Sequence, residues 1–147
     1  MKNIHTLAII SFIFSCAANL FGHCQVPCGI FADQHRFEQM LEDQSTIEKA
    51  SRLINGLSGK KDALSVNQLS RWVATKEDHA NAIQKTIADY FMAQRIKSTS
   101  SNYTDQLTKA HAVMVSAMKS KQSVAPDSSD NLKKAILAFH KSYEKKK

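Results

Sequence analysis

The chain has 147 residues, 43% hydrophobic and 22% charged, with a formal net charge of +7 at neutral pH. That length suits one small domain around a single core. The charge is partly a solvated tail of three lysines, 145–147, and partly a positive field that suits a small anion. No basic stripe interleaved with aromatics, zinc finger, helix-turn-helix or RNP pattern occurs, which argues against nucleic-acid binding.

Residues 1–22 read as a leader. Lys2 is followed by the apolar run Leu7–Phe14 and then by the small residues Ser15, Cys16, Ala17 and Ala18. This is the pattern of a secretory signal, and the run is too short for a bilayer span, which needs about 20 apolar residues. Three processing routes are open: cleavage after Gly22, cleavage after Ala18, or lipidation of Cys16 in the box-like stretch Ile13-Phe14-Ser15-Cys16. Export to the periplasm or outside the cell is expected, with the cytoplasm as the alternative if the leader is only a pro-peptide. No stable membrane span is expected after cleavage. Loss of residues 1–22, whose only charge is Lys2, leaves 19 basic and 13 acidic residues, a net +6.

The next stretch, His23-Cys24-Gln25-Val26-Pro27-Cys28-Gly29-Ile30-Phe31, places one imidazole and two thiols within six residues. Thiolates are soft donors and imidazole suits nickel, copper and zinc. Pro27 biases Val26 to an extended shape, and Gly29 can take a positive φ beyond the second thiol. The loop can therefore aim both sulfurs at one point. If cleavage makes His23 the first residue, its amine and the Cys24 amide nitrogen can chelate a metal beside the two sulfurs. Two nitrogens and two sulfurs in a plane favour nickel(II) or copper(II). The competing possibility is a Cys24–Cys28 disulfide in an oxidising compartment.

From Asp33 onward the chain reads as helices. Asp33 is placed as an N-cap, and apolar residues at Phe37, Met40, Leu41, Ile47, Ala50, Leu53, Ile54 and Leu57 predict a first helix ending near Gly56. Asn55–Lys61 is a loop. A second helix is expected over about Asp62–Lys97, with the stripe Val66, Leu69, Trp72, Val73, Ala80, Ile83, Ile87 and Phe91. Ser98–Asn102 breaks it. The third helix carries Leu107, Ala110, His111, Met114, Ala117 and Met118. Ser123–Asp130 is the last loop, and the fourth helix carries Leu132, Ala135, Ile136, Phe139 and Tyr143. Four amphipathic helices with short links predict an all-α, antiparallel up-down four-helix bundle preceded by an N-terminal metal-binding hook. Trp72, Phe91, Phe139 and the methionines are read as core, and His35, His111 and His140 as surface or satisfied core residues.

His23-Cys24-x-x-Pro27-Cys28-Gly29-x-Phe31 resembles the nickel hook of the nickel-containing superoxide dismutases, a family whose mature chain begins H-C-x-x-P-C-G-x-Y and continues as a four-helix bundle. Arg36-Phe37-Glu38 is similar to the family's R-x-E, Arg71 with Lys76-Glu77 to its R-x4-K-E, and Asp89-Tyr90-Phe91 to its D-Y-F. The resemblance divides the chain into a leader (1–22) and a nickel superoxide dismutase domain (23–147), with the hook at 23–31 and the bundle at about 33–144. It implies one nickel ion per subunit, held by His23, Cys24 and Cys28, with the His23 imidazole axial. It implies conversion of superoxide to dioxygen and hydrogen peroxide through Ni(III)/Ni(II) cycling. Tyr90 would line the approach and hold a proton-supplying water, Glu38 would orient the imidazole, and Phe31 and Arg71 would lie behind the ligands. A homo-oligomer, a hexamer by resemblance, and a maturation protease or signal peptidase are the implied partners.

The chain departs from the family at Gln25, where aspartate is usual, and at Phe31, where tyrosine is usual. The segment between Glu77 and Asp89 is also short, which makes His79 the nearest counterpart of a family arginine. The alternative function is an exported helical bundle whose cysteines form a disulfide or bind copper, zinc or nickel passively.

Overall fold

The computed structural model describes residues 33–145, and the leader and hook lie outside them. Helix α1 spans Asp33–Leu57, α2 Ala63–Lys85, α3 Tyr103–Gln122 and α4 Pro126–Glu144. Beyond Lys85, α2 passes directly into a π-helix, Thr86–Arg95. No strand occurs among the described residues. α1 packs on α2 and α4, and α3 packs on α2 and α4, so the helices form a ring in chain order. The polar ties run antiparallel. Tyr143 near the end of α4 reaches Asp33 at the start of α1, and Asn55 near the end of α1 reaches the carbonyl of Val124 between α3 and α4. This is the expected antiparallel up-down bundle.

Local chemistry sets the helix ends. α1 runs through Gly56 to Leu57, and the reversal falls at Gly59, whose φ of 83° suits a residue without Cβ. Asp62 caps α2 by accepting from the Ser65 backbone N–H at 2.9 Å. Ile96, in an extended conformation, ends the π-helix, and its N–H still reaches five residues back to the Phe91 carbonyl at 2.8 Å. α4 starts at Pro126, earlier than the expected loop through Asp130. Proline fits the first helical position because its missing N–H has no partner to lose there.

The core is aromatic toward one end and aliphatic beyond it. Phe37, Phe91 and Phe139 pack with ring centroids 4.7–5.3 Å apart, and Tyr143 lies 5.4 Å from Phe91. Met40, Ile47, Ile83, Ile87, Val113, Leu132 and Ile136 are fully buried. Buried Ala50, Ala80, Ala110 and Ala117 fill the remaining inward positions of the helices.

Two stripes differ from expectation. Val66 and Val73 are 47% and 40% exposed. The reason is helix length: the last turn of α3 ends opposite Lys76, so the first turns of α2 run past it. On α3, His111 and Met118 face outward and Val113 takes the inward place, which shifts the apolar face from the expected one. Trp72 is half-buried, under the ammonium of Lys49 at 5.7 Å, rather than in the core.

Candidate active site

The end of the bundle at which the preceding segment joins is built around one carboxylate. Asp33 stands in the first turn of α1, where an acid is favoured by the helix dipole. Sequence patterning makes it an N-cap; in the structure it begins the helix, and its side chain crosses to other elements. Tyr90 Oη donates to Oδ1 at 2.6 Å. Arg95 Nη2 and Tyr143 Oη donate to Oδ2 at 2.6 and 2.8 Å. Burial pushes the Asp33 carboxyl up, but the bonds from Arg95, Tyr90 and Tyr143 outweigh it and hold it below its ordinary value. Burial and the same carboxylate raise Tyr90, and they push Tyr143 up to about 12. The bond to Asp33 raises Arg95 further above its already high value.

The π winding makes this cluster possible. Residues five apart in an α-helix are rotated by about 140° about the axis and face different neighbours. Tyr90 and Arg95 are five apart, yet both reach Asp33, and the Arg95 guanidinium lies 5.9 Å from the Tyr90 ring centre. The wider i→i+5 turn stacks them. The Gln94 side chain donates back to the Asp89 carbonyl at 3.1 Å within the same segment. Arg36, one turn into α1, sits over the Tyr90 ring at 5.4 Å. Phe91 floors the site, its ring packed against both Tyr90 and Tyr143.

The other sequence-selected residues are placed as follows. His23, Cys24, Cys28 and Phe31 lie outside the described residues. Glu38 is exposed on α1, little more than a turn from Asp33, and accepts from Gln34 Nε2 at 3.0 Å. Arg71 is exposed on α2, roughly 20 Å along the helix from the start of the π segment; it is not brought together with Tyr90. His79 pairs through Nδ1 with buried Asp43 at 2.7 Å, in the middle of the α1–α2 contact. Lys76, of the K-E pair, is buried, and its Nζ donates to the carbonyls of Ser120, Lys121 and Ser123 at 2.9, 2.6 and 3.0 Å, closing the end of α3. Asp33, Arg95 and Tyr143 are the site residues that sequence reasoning missed. The one available signal was the five-residue step from Tyr90 to Arg95, which fits no α-helical face.

Among the described residues no group of three or more His, Cys, Asp and Glu could hold a metal ion. All three cysteines, Cys16, Cys24 and Cys28, precede Asp33. Outside the described residues, the run at 23–28 carries two thiols and an imidazole, donor types that suit nickel.

Fold and sequence together define a four-helix-bundle protein whose first helix begins with a clasped carboxylate and follows a thiol-bearing segment in the chain. Residues 17–147 match the model of the family described as nickel-containing superoxide dismutase. The chain belongs to that family; it is an oxidoreductase whose cofactor is nickel. No match was found among curated proteins or among solved structures.

Proposed function

We propose that the mature protein begins at His23 and dismutes superoxide at the hook. The observation that carries this is the family match over residues 17–147, which spans the run His23-Cys24-x-x-Pro27-Cys28-Gly29. Cys24 and Cys28 would hold nickel through their thiolates, and His23 through its amine and imidazole. Nickel, cycling between Ni(III) and Ni(II), would supply the electron exchange between two superoxide ions. Thiolates suit this work because they stabilise the higher oxidation state.

The rest of the chain binds and orients. Arg36 and Arg95, beside Tyr90, place positive charge at the end where the hook joins, which favours approach of an anion. Four residues lie between Cys28 and Asp33, so even a fully extended chain keeps their Cα atoms within about 18 Å of each other. Glu38 is the carboxylate proposed to orient the imidazole. A homo-oligomer, a hexamer by family resemblance, export of the chain, and removal of residues 1–22 by a signal peptidase or maturation protease complete the proposal.

The test is intact-mass analysis and N-terminal sequencing of the protein purified from its native cells, with metal analysis and a superoxide assay. The expected result is a chain starting at His23, free thiols, one nickel per subunit and activity. A different first residue, or a Cys24–Cys28 disulfide without metal, would overturn it.

A further inference from the structure

The hydrogen bonds at Asp33 have a direction. An ionised carboxylate only accepts. Asp33 is ionised at neutral pH, since its pairing with Arg95 and the two phenols keeps its carboxyl below the ordinary range. The hydroxyl hydrogens of Tyr90 and Tyr143 must therefore both point at Asp33. A phenol has one hydrogen to give, so any other partner of the Tyr90 oxygen has to donate to it.

We infer that Asp33, braced by Arg95 and Tyr143, fixes Tyr90 as a hydrogen-bond acceptor, so that Tyr90 orients a proton-bearing water or product and does not give up its own proton in the reaction. This rests on the superoxide dismutase reading above. In that reaction two superoxide ions and two protons yield one dioxygen and one hydrogen peroxide. One superoxide loses an electron, the other gains it, and both protons end on the peroxide. The protons come from solvent, and Tyr90 holds the water that delivers them. Asp33, Arg95 and Tyr143 are positioning residues.

Three features make the arrangement specific. The cluster joins three elements: α1 supplies the acceptor Asp33, the π segment the donors Tyr90 and Arg95, and α4 the donor Tyr143. Two cations, Arg36 and Arg95, flank the Tyr90 ring at 5.4 and 5.9 Å, beside the Asp33 carboxylate that its hydroxyl meets. Ordinary α-helical winding would turn either Tyr90 or Arg95 away from Asp33.

The experiment compares the wild type with Asp33→Asn, Tyr90→Phe and Tyr143→Phe. Ultraviolet titration of tyrosine ionisation is done on the metal-free protein, and the pH profile of kcat is measured between about pH 8 and 11 on the nickel-loaded mature protein, a range that brackets the ordinary tyrosine value of about 10. The chain has three tyrosines, Tyr90, Tyr103 and Tyr143. Two of them ionise late in the wild type, one in Tyr143→Phe, and both late steps move down in Asp33→Asn. Tyr90→Phe lowers kcat/KM by about tenfold, the worth of one hydrogen bond.

The decisive comparison is in Asp33→Asn. The activity limb stays where it is although phenol ionisation has moved. If the limb follows the phenol, Tyr90 gives its own proton and the inference is overturned. It is equally overturned if Asp33→Asn leaves the late ionisations in place. Should Asp33→Asn not fold, by circular dichroism, the wild-type and Tyr143→Phe titrations still decide whether Tyr90 ionises late. A nickel-loaded wild type with no dismutase activity would instead defeat the functional reading, and the metal-free titration would still report on the clasp.

Discussion

Helix α1 carries two carboxylates ten residues apart that are nearly hidden from solvent and behave in opposite ways. Asp33 accepts three hydrogen bonds, one of them from a guanidinium, and its carboxyl sits below the ordinary value. Asp43 accepts one, from His79; its other oxygen is buried without a partner, and burial pushes its carboxyl up despite the His79 bond. Burial is unfavourable to the charge in both places. What differs is the number of donors that meet it: three are enough to reverse the shift, and one is not. The clasped carboxylate stands in the first turn of α1, and the unclasped one stands mid-helix.

The largest expected effect comes from breaking the clasp. Asp33→Ala leaves the Arg95 guanidinium and two phenols without their acceptor, and should cost about 3 kcal/mol in urea unfolding at pH 7. Arg95 is 38% exposed and recovers part of its loss from water, which holds the figure below that of a fully buried pair. Asp43→Asn should change stability by less than about 1 kcal/mol, because it removes a poorly solvated charge together with a single ion pair. The two carboxylates also oppose each other as pH falls. The depressed Asp33 gives stability that is present above 3.8, its unfolded value, and lost as pH drops through its lower folded value. The raised Asp43 works the other way: the folded state binds the proton first, so stability rises as pH falls through the folded value toward 3.8. Asp43→Asn should flatten the gain and Asp33→Asn the loss. Equal responses in the two variants would mean that donor number does not control these sites.

Lys76 sharpens the rule with the opposite sign of charge. Its ammonium has three carbonyl partners, yet burial still lowers its pKa, with the Glu77 charge only partly offsetting. Carbonyl dipoles, unlike the guanidinium at Asp33, bring no full charge. Lys76→Met keeps the stem's packing and should cost about 1.5 kcal/mol, because the last carbonyls of α3 lose a charged donor. A neutral result in thermal or urea unfolding would show that water replaces the lysine at that helix end.

The contrast also shows what a sequence can carry. The four helices were legible because burial repeats at three and four residues: Phe37, Met40, Ile47, Ala50 and Ile54 announce α1 without further help. The exposed flank of α2 was not, because Val66 and Val73 keep the rhythm while α3 is too short to cover them. The nickel cofactor was legible through the family resemblance that thiols and imidazole at this spacing carry, and the family match agrees with it; the hook itself lies outside the described residues. Asp33 was misjudged as a cap because capping is a local use of a carboxylate, and its partners lie 57, 62 and 110 residues away. The π winding that brings Tyr90 and Arg95 to it follows no hydrophobic period.

The smallest effect on stability belongs to a third carboxylate of α1, and it separates structure from function most cleanly. Glu38 is exposed and tied only to Gln34 one turn back, so neither burial nor a cross-helix partner acts on it. Glu38→Gln should move unfolding by less than about 0.5 kcal/mol, as surface changes do. If Glu38 orients the His23 imidazole, the same substitution should lower nickel affinity or dismutase activity by about 10- to 100-fold, the usual cost of removing a group that holds a metal-binding histidine. A residue that matters to the metal and not to the fold would give this split. Unchanged affinity and activity in Glu38→Gln would leave the carboxylate as a solvated surface group, and would move the search for the imidazole's partner back toward the Asp33 cluster.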